Sequence, residues 1–218
     1  MQTILCFGDS NTWGYDPKAT ASAPFPIRYA QGVRWTGVLA QELGADFRVI
    51  EEGQNGRTTV HDDPMSHAPR NGRHVLPVIL ESHKPIDLVV MMLGSNDLKT
   101  MFNLVPQDIA LGASLLVKMI LQSDASPAGK APQVLLVCPP AIANLDHLPD
   151  IAARIVNGRE RSLQLPKYYE AVAKQHGVHF LNSQEHTVPS QTDGVHLDAE
   201  VHASLGKAVA AKVVSIFA

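Results

Sequence analysis

Five short apolar runs punctuate the chain, at residues 4–7, 47–50, 87–93, Gln133–Cys138 and 178–181. The clearest is DLVVMML at 87–93, apolar on both faces as a central strand of a parallel sheet is. Between the runs the spacing turns helical. Residues 33–43 put Trp35, Leu39 and Leu43 on one face and stop at Gly44. Residues 75–82 continue the pattern if Pro77 sits in the first turn. A strong helix is predicted over 106–122, opened by Pro106, and another over Ala199–Phe217. Residues 141–176 show helical spacing broken near Gly158 and Pro166. The remainder reads as loop: 60–72, 184–197, and above all 14–31, with three prolines and no period. Loops that long in compact domains tend to serve function or association. Alternating strands and helices, with no repeat and no linker, predict one α/β domain over residues 1–218 with a mostly parallel sheet.

The chemistry collects where the predicted strands end. The first ends in Gly8-Asp9-Ser10, the second in Gly53-Gln54-Asn55-Gly56, the third in Gly94-Ser95-Asn96-Asp97. In a parallel sheet these ends share one edge, where ligands and catalytic groups gather. A serine hydroxyl, a glycine N–H and an asparagine amide can therefore converge, as a nucleophile with an oxyanion hole requires. Each residue alone has a plainer reading: Ser10, Asn11 or Asn96 can cap a helix, and the glycines can simply turn the chain.

A serine needs a base. Among ten histidines, His196 stands out in Thr192-Asp193-Gly194-Val195-His196-Leu197, just before the last helix. On a tight loop Asp193 can reach the ring Nδ1–H and leave Nε2 facing a hydroxyl, although it also reads as an ordinary loop residue. His202, six residues on, does not fit the common zinc-ligand spacings, so no metal is expected.

Composition narrows the partners. Charged residues make up 18% of the chain, below the roughly 25% usual for soluble domains, which suggests subunit contacts. A net charge of −3 with no basic run argues against nucleic acid or an anionic membrane surface as partner. Cys6 and Cys138 both lie in apolar runs and read as buried hydrophobes, not a disulfide. No leader and no bilayer-length apolar run is visible, so the cytoplasm is the expected compartment.

Phe7-Gly8-Asp9-Ser10, Gly53 to Gly56, Gly94 to Asp97 and Asp193 to His196 together resemble the SGNH hydrolases, also called the GDSL esterase/lipase family. The four blocks stand in the family's order and span nearly the whole chain. The stretches 33–40, 51–53 and 57–59 are similar to its bacterial arylesterase and acyltransferase branch. The resemblance implies a flavodoxin-like three-layer α/β/α sandwich with a five-stranded parallel sheet. It implies Ser10 as nucleophile, His196 as base and Asp193 as the residue orienting it. The Ser10 N–H, the Gly56 N–H and the Asn96 side chain would form the oxyanion hole. Gly53 is the other glycine available for that role, and Gly56 is favoured because it lies further past the strand. Asn11 departs from the family name, which has leucine there. No cofactor is implied. The expected activity is a serine esterase for short acyl esters of aryl or small alkyl alcohols, with acyl transfer to alcohols or peroxide. A lipase or thioesterase for longer chains and a non-catalytic glycan- or acyl-binding module are the alternatives. Trp13, three residues past Ser10, is expected either beside the substrate or packed in the core. The loop at 14–31, with Phe25, Ile27 and Tyr29, and the habit of the similar branch suggest a homo-oligomer larger than a dimer.

Overall fold

The computed structural model describes residues 1–218. Its centre is a five-stranded, wholly parallel sheet formed by β1 (Gln2–Gly8), β2 (Phe47–Gly53), β3 (Leu88–Met92), β4 (Gln133–Cys138) and β5 (His179–Asn182), in the order β2-β1-β3-β4-β5. In register, Gly8 lies opposite Gly53 on one side and Met92 on the other. The strand ends that carry polar residues therefore do share one edge.

Period-two alternation divides the apolar strands between two cores. Leu5, Phe7, Val89, Met91, Val134 and Leu136 face one helical layer. That layer contains α4 (Gly72–His83), α5 (Pro106–Leu121) and α8 (Leu165–His176). Ile4, Cys6, Leu88, Val90, Met92, Leu135 and Val137 face the other, built on α3 (Trp35–Leu43) and α9 (Ala199–Phe217). The result is the expected three-layer α/β/α sandwich. No helix is long and apolar enough to cross a membrane.

The structure moves several expected boundaries. The segment 14–31 is not all loop: α1 (Ser10–Trp13) is followed by α2 (Pro17–Thr20), where Pro17 supplies a ready φ and the Asp16 carboxylate accepts from Ala19 N–H. β2 continues three residues past Ile50, because pairing with β1 outweighs the polarity of Glu51 and Glu52. α4 begins at Gly72, capped by Asn71, so Pro77 lies inside it beyond the first turn. Pro166 starts α8 instead of breaking a helix, and the 141–165 region holds α6 (Pro149–Arg154) and α7 (Gly158–Ser162).

α3 and α9 pack so closely that a Cβ on Gly206 would stand 2.7 Å from Trp35 O. At this contact His202 of α9, fully buried, accepts the Trp35 N–H on Nδ1 at 3.3 Å. Arg34, the N-cap residue of α3, makes no side-chain cap bond, so a histidine 167 positions away satisfies a helix-start N–H. Burial foremost, and then the nearby charges of His196 and Arg34, push the His202 pKa down to about 4. The folded protein thus holds His202 neutral while the unfolded chain takes up a proton near pH 6.5. Stability supported by this neutral ring is present above that pH and declines as pH falls toward 4. We expect His202→Ala to cost about 2–4 kcal/mol in urea denaturation at pH 7, from the cavity and the orphaned N–H. The gap to wild type should narrow progressively between pH 6.5 and pH 4.

Candidate active site

The site lies at the carboxyl edge of the sheet and begins with backbone geometry. Gly8 ends β1, and a Cβ there would meet Thr12 Oγ1 at 2.1 Å and Met92 O at 2.8 Å. A Cβ on Gly53 would meet Trp13 N at 2.1 Å. Two bare glycines thus let the single turn of α1 settle onto the ends of β1 and β2. Asp9 caps that turn by accepting the Asn11 N–H at 3.0 Å, and Ser10 is its first residue.

The structure brings Ser10, His196 and Asp193 together. Ser10 Oγ lies 2.9 Å from His196 Nε2, and His196 Nδ1 lies 2.6 Å from Asp193 Oδ2. The other Asp193 oxygen, Oδ1, accepts the Val195 and His196 N–H groups at 2.9 Å each. A carboxylate can accept and cannot donate, so Nδ1 carries the ring proton and Nε2 is left to accept from the serine. Burial alone would raise the Asp193 pKa, but together the His196 ring and the two backbone N–H groups that hold the carboxylate lower it. The loop is braced from behind by Leu145 against Gly194 and by Ala143 N–H donating to Gly194 O at 2.9 Å.

Gly56 and Gly53 separate clearly. Gly53 is a packing glycine at the end of β2. Gly56 is the third residue of a turn closed by Arg57 N–H to Gln54 O at 3.1 Å, with φ of 79°, the conformation a type II turn reserves for glycine. Its N–H has no acceptor in the chain. Asn96 Nδ2 donates to Arg57 O at 3.1 Å, which places the amide beside that turn and leaves its second hydrogen unspent. Asp97, fully buried, accepts the Thr59 N–H and hydroxyl and so ties the β3 end to the β2 end. Trp13 is half-buried, with the Arg28 guanidinium 5.3 Å from its ring centroid. Asn11 is buried, and its amide reaches Val195 O at 3.5 Å, linking the serine turn to the histidine loop.

Tyr15 carries no recognisable sequence signal, and Arg34, Glu51 and Arg57, though inside the stretches 33–40, 51–53 and 57–59, give no indication there of their individual roles. Tyr15 stacks on the His196 imidazole, centroids 3.9 Å apart and planes 22° from parallel. Arg57 donates to Gly8 O at 2.8 Å and to Glu52 O, and lies 4.4 Å over the Phe7 ring. Burial pulls its pKa down to about 10. Arg34 forms a two-pronged pair with Glu51, which also accepts the Thr36 hydroxyl proton. No group of three His, Cys, Asp or Glu residues is placed to hold a metal ion.

A serine, an imidazole and a carboxylate in one hydrogen-bonded line, on the carboxyl edge of a doubly wound parallel sheet, define a serine-hydrolase type of site. The GDSL-like lipase/acylhydrolase family description matches residues 6–204, and the chain belongs to that family. It is accordingly a carboxylic ester hydrolase. An aryl esterase from M. smegmatis is 43% identical with a TM-score of 0.91, each chain 99% covered. Est24, a carbohydrate acetylesterase from Sinorhizobium meliloti, is 39% identical with a TM-score of 0.92, covering 99% of this chain and all of its own. A G-D-S-L family lipolytic protein from Veillonella parvula, 14% identical with a TM-score of 0.66, shares the fold. No curated protein sequence matches.

Asp9 generates a test of the site's electrostatics. Its carboxyl is buried, Oδ2 has no partner, and burial raises its pKa to about 6. Between about pH 4 and pH 6 the folded state holds a proton that the unfolded state has lost, so stability falls as pH rises through this window. Asp9→Asn keeps the capping oxygen and removes the buried charge. We expect it to gain up to about 3 kcal/mol at pH 8, from roughly two pKa units at 1.36 kcal/mol each. The gain should disappear near pH 4 when urea denaturation is followed across pH.

Proposed function

We propose that the chain is a serine esterase for short acyl esters of aryl or small alkyl alcohols, working as a single domain over residues 1–218. The observation that carries the reading is the unbroken Ser10–His196–Asp193 line, at 2.9 and 2.6 Å. Ser10 Oγ attacks the ester carbonyl carbon as its proton passes to His196 Nε2. The imidazolium is stabilised by Asp193. The carbonyl oxygen gains negative charge and accepts hydrogen bonds from the Ser10 and Gly56 N–H groups and the Asn96 amide. Collapse breaks the ester C–O bond, and His196 returns its proton to the departing alcohol. Water then attacks the acyl-serine by the same route and frees the acid. An alcohol or peroxide in place of water gives acyl transfer. None of these steps calls on a cofactor.

The small-acyl preference draws support from the aryl esterase and acetylesterase named above, and from aromatic groups around the serine. Tyr15 covers one face of His196, and Trp13 is held by Arg28 at the end of the serine turn. Both cysteines are free and buried, which suits a reducing compartment such as the cytoplasm. We also assign a homo-oligomer larger than a dimer, favoured by Phe25, 63% exposed on the segment between α2 and α3. Light scattering at micromolar concentration should give a mass above twice that of the chain.

Ser10→Ala should abolish turnover of phenyl acetate with the urea midpoint retained. Asn96→Ala should lower kcat by about 10²–10³ with a smaller change in KM, because the charge it meets exists mainly in the transition state. Across p-nitrophenyl esters from acetate to palmitate, kcat/KM should peak at two or three carbons. A maximum at eight carbons or beyond would favour a lipase or thioesterase.

A further inference from the structure

The loop between β2 and α4 delivers one side chain whose placement the esterase mechanism does not use. Arg70 lies against Gly56: its Nε and Cδ stand 3.4 and 3.5 Å from the point a Gly56 Cβ would occupy, and Cζ 3.9 Å. Both ends of the residue are fixed. Its carbonyl accepts the Thr58 N–H at 2.9 Å, and its Nε donates to Ser66 Oγ at 2.7 Å. Ser66 is itself held by Ala68, donating to its carbonyl at 3.0 Å and accepting its N–H at 3.3 Å. The Gln54 amide donates to Pro69 O at 2.9 Å, which pins the same loop to the Gly56 turn.

What is left over is the fork. Neither Nη of Arg70 has a hydrogen-bond partner, and the residue makes no ion pair although it is half-buried. The neighbouring carboxylate, Asp63, is held by Lys99 Nζ at 2.9 Å. A guanidinium aimed by its own Nε, with its planar donor pair unspent, is arranged to receive a carboxylate in two-pronged fashion. Its position decides what would carry that carboxylate. Gly56 bears the free N–H that our reading assigns to the oxyanion, so the Arg70 guanidinium stands beside that edge of the site.

We propose that Arg70 is a specificity-determining residue that selects esters carrying a carboxylate. The inference rests on the esterase reading through Gly56. The carboxylate can sit on the acyl side, as in a dicarboxylic half-ester, or on the alcohol side, as in an acylated hydroxybenzoate. Either presents the same group to the same fork.

The test compares phenyl acetate with monophenyl succinate and 4-acetoxybenzoate, which place the charge on opposite sides of the ester. In Arg70→Gln, the ratio of kcat/KM for at least one anionic ester to that for phenyl acetate should fall about tenfold, the scale of one charge-assisted hydrogen bond, chiefly through KM. The wild-type ratio for the same ester should fall with added salt. A ratio unchanged for both anionic esters overturns the proposal, as does an equal loss on all three, which would make Arg70 a structural residue. Equilibrium binding of the three esters by calorimetry in a Ser10→Ala background, with and without Arg70→Gln, reads the same selectivity without turnover. If Ser10→Ala still hydrolyses them, the serine assignment fails. Arg70 is then judged on the anion-to-neutral ratio of that hydrolysis, with and without Arg70→Gln.

Discussion

The site depends on two glycines at strand ends against which the serine turn packs too closely for any Cβ. Where β1 ends, Gly8 leaves room for Thr12 and for the end of β3; where β2 ends, Gly53 leaves room for the α1 backbone at Trp13. Any Cβ at either place collides with backbone, which cannot swing aside as a flexible side chain can. The serine turn is therefore seated by its own main chain against Gly53 and by the Thr12 side chain against Gly8. Arg57 then locks the seat from below, donating to the carbonyls of Gly8 and Glu52 at the ends of the two strands. Precision of this kind suits the nucleophilic role proposed for Ser10, because small displacements of an attacking atom carry large rate penalties.

The site is also an edge of concentrated buried polarity. Asp9, Arg57, Asp97 and His202 all lie within or beneath it, and burial is the leading cause of the pKa shift of each. Asp9 and His202 pull folding stability in opposite directions across nearly the same acidic range.

Much of this was legible in the sequence, and for identifiable reasons. The strands of the central sheet announce themselves because β3 and β4 are buried on both faces and must be apolar throughout. Gln133–Cys138 and Ala199–Phe217 match their predicted bounds, and Ser10, Asn96, Asp193 and His196 follow from short motifs at strand and loop ends. Elements decided by tertiary contact were not legible. β2 runs on through Glu51 and Glu52 because β1 is there to pair with them, and local polarity points the other way. Tyr15 reaches His196 only through the path of 14–31. His202 completes the start of α3 from 167 residues away. Gly53 and Gly56 look alike as letters; φ and the atoms around them set one to packing and the other to presenting its N–H.

The order of parts along the chain has a consequence for biosynthesis. Ser10 and His196 are 186 residues apart, while Asp193 and His196 share one tight loop. As the polypeptide leaves the ribosome, Ser10 and its glycine neighbours emerge with β1 and β2, and the Asp193–His196 loop emerges only after all five strands, followed by α9, which packs against α3. A partly synthesised chain can thus assemble most of its sheet while holding an unactivated hydroxyl. The Ser10–His196–Asp193 line can therefore close only after all five strands have been translated.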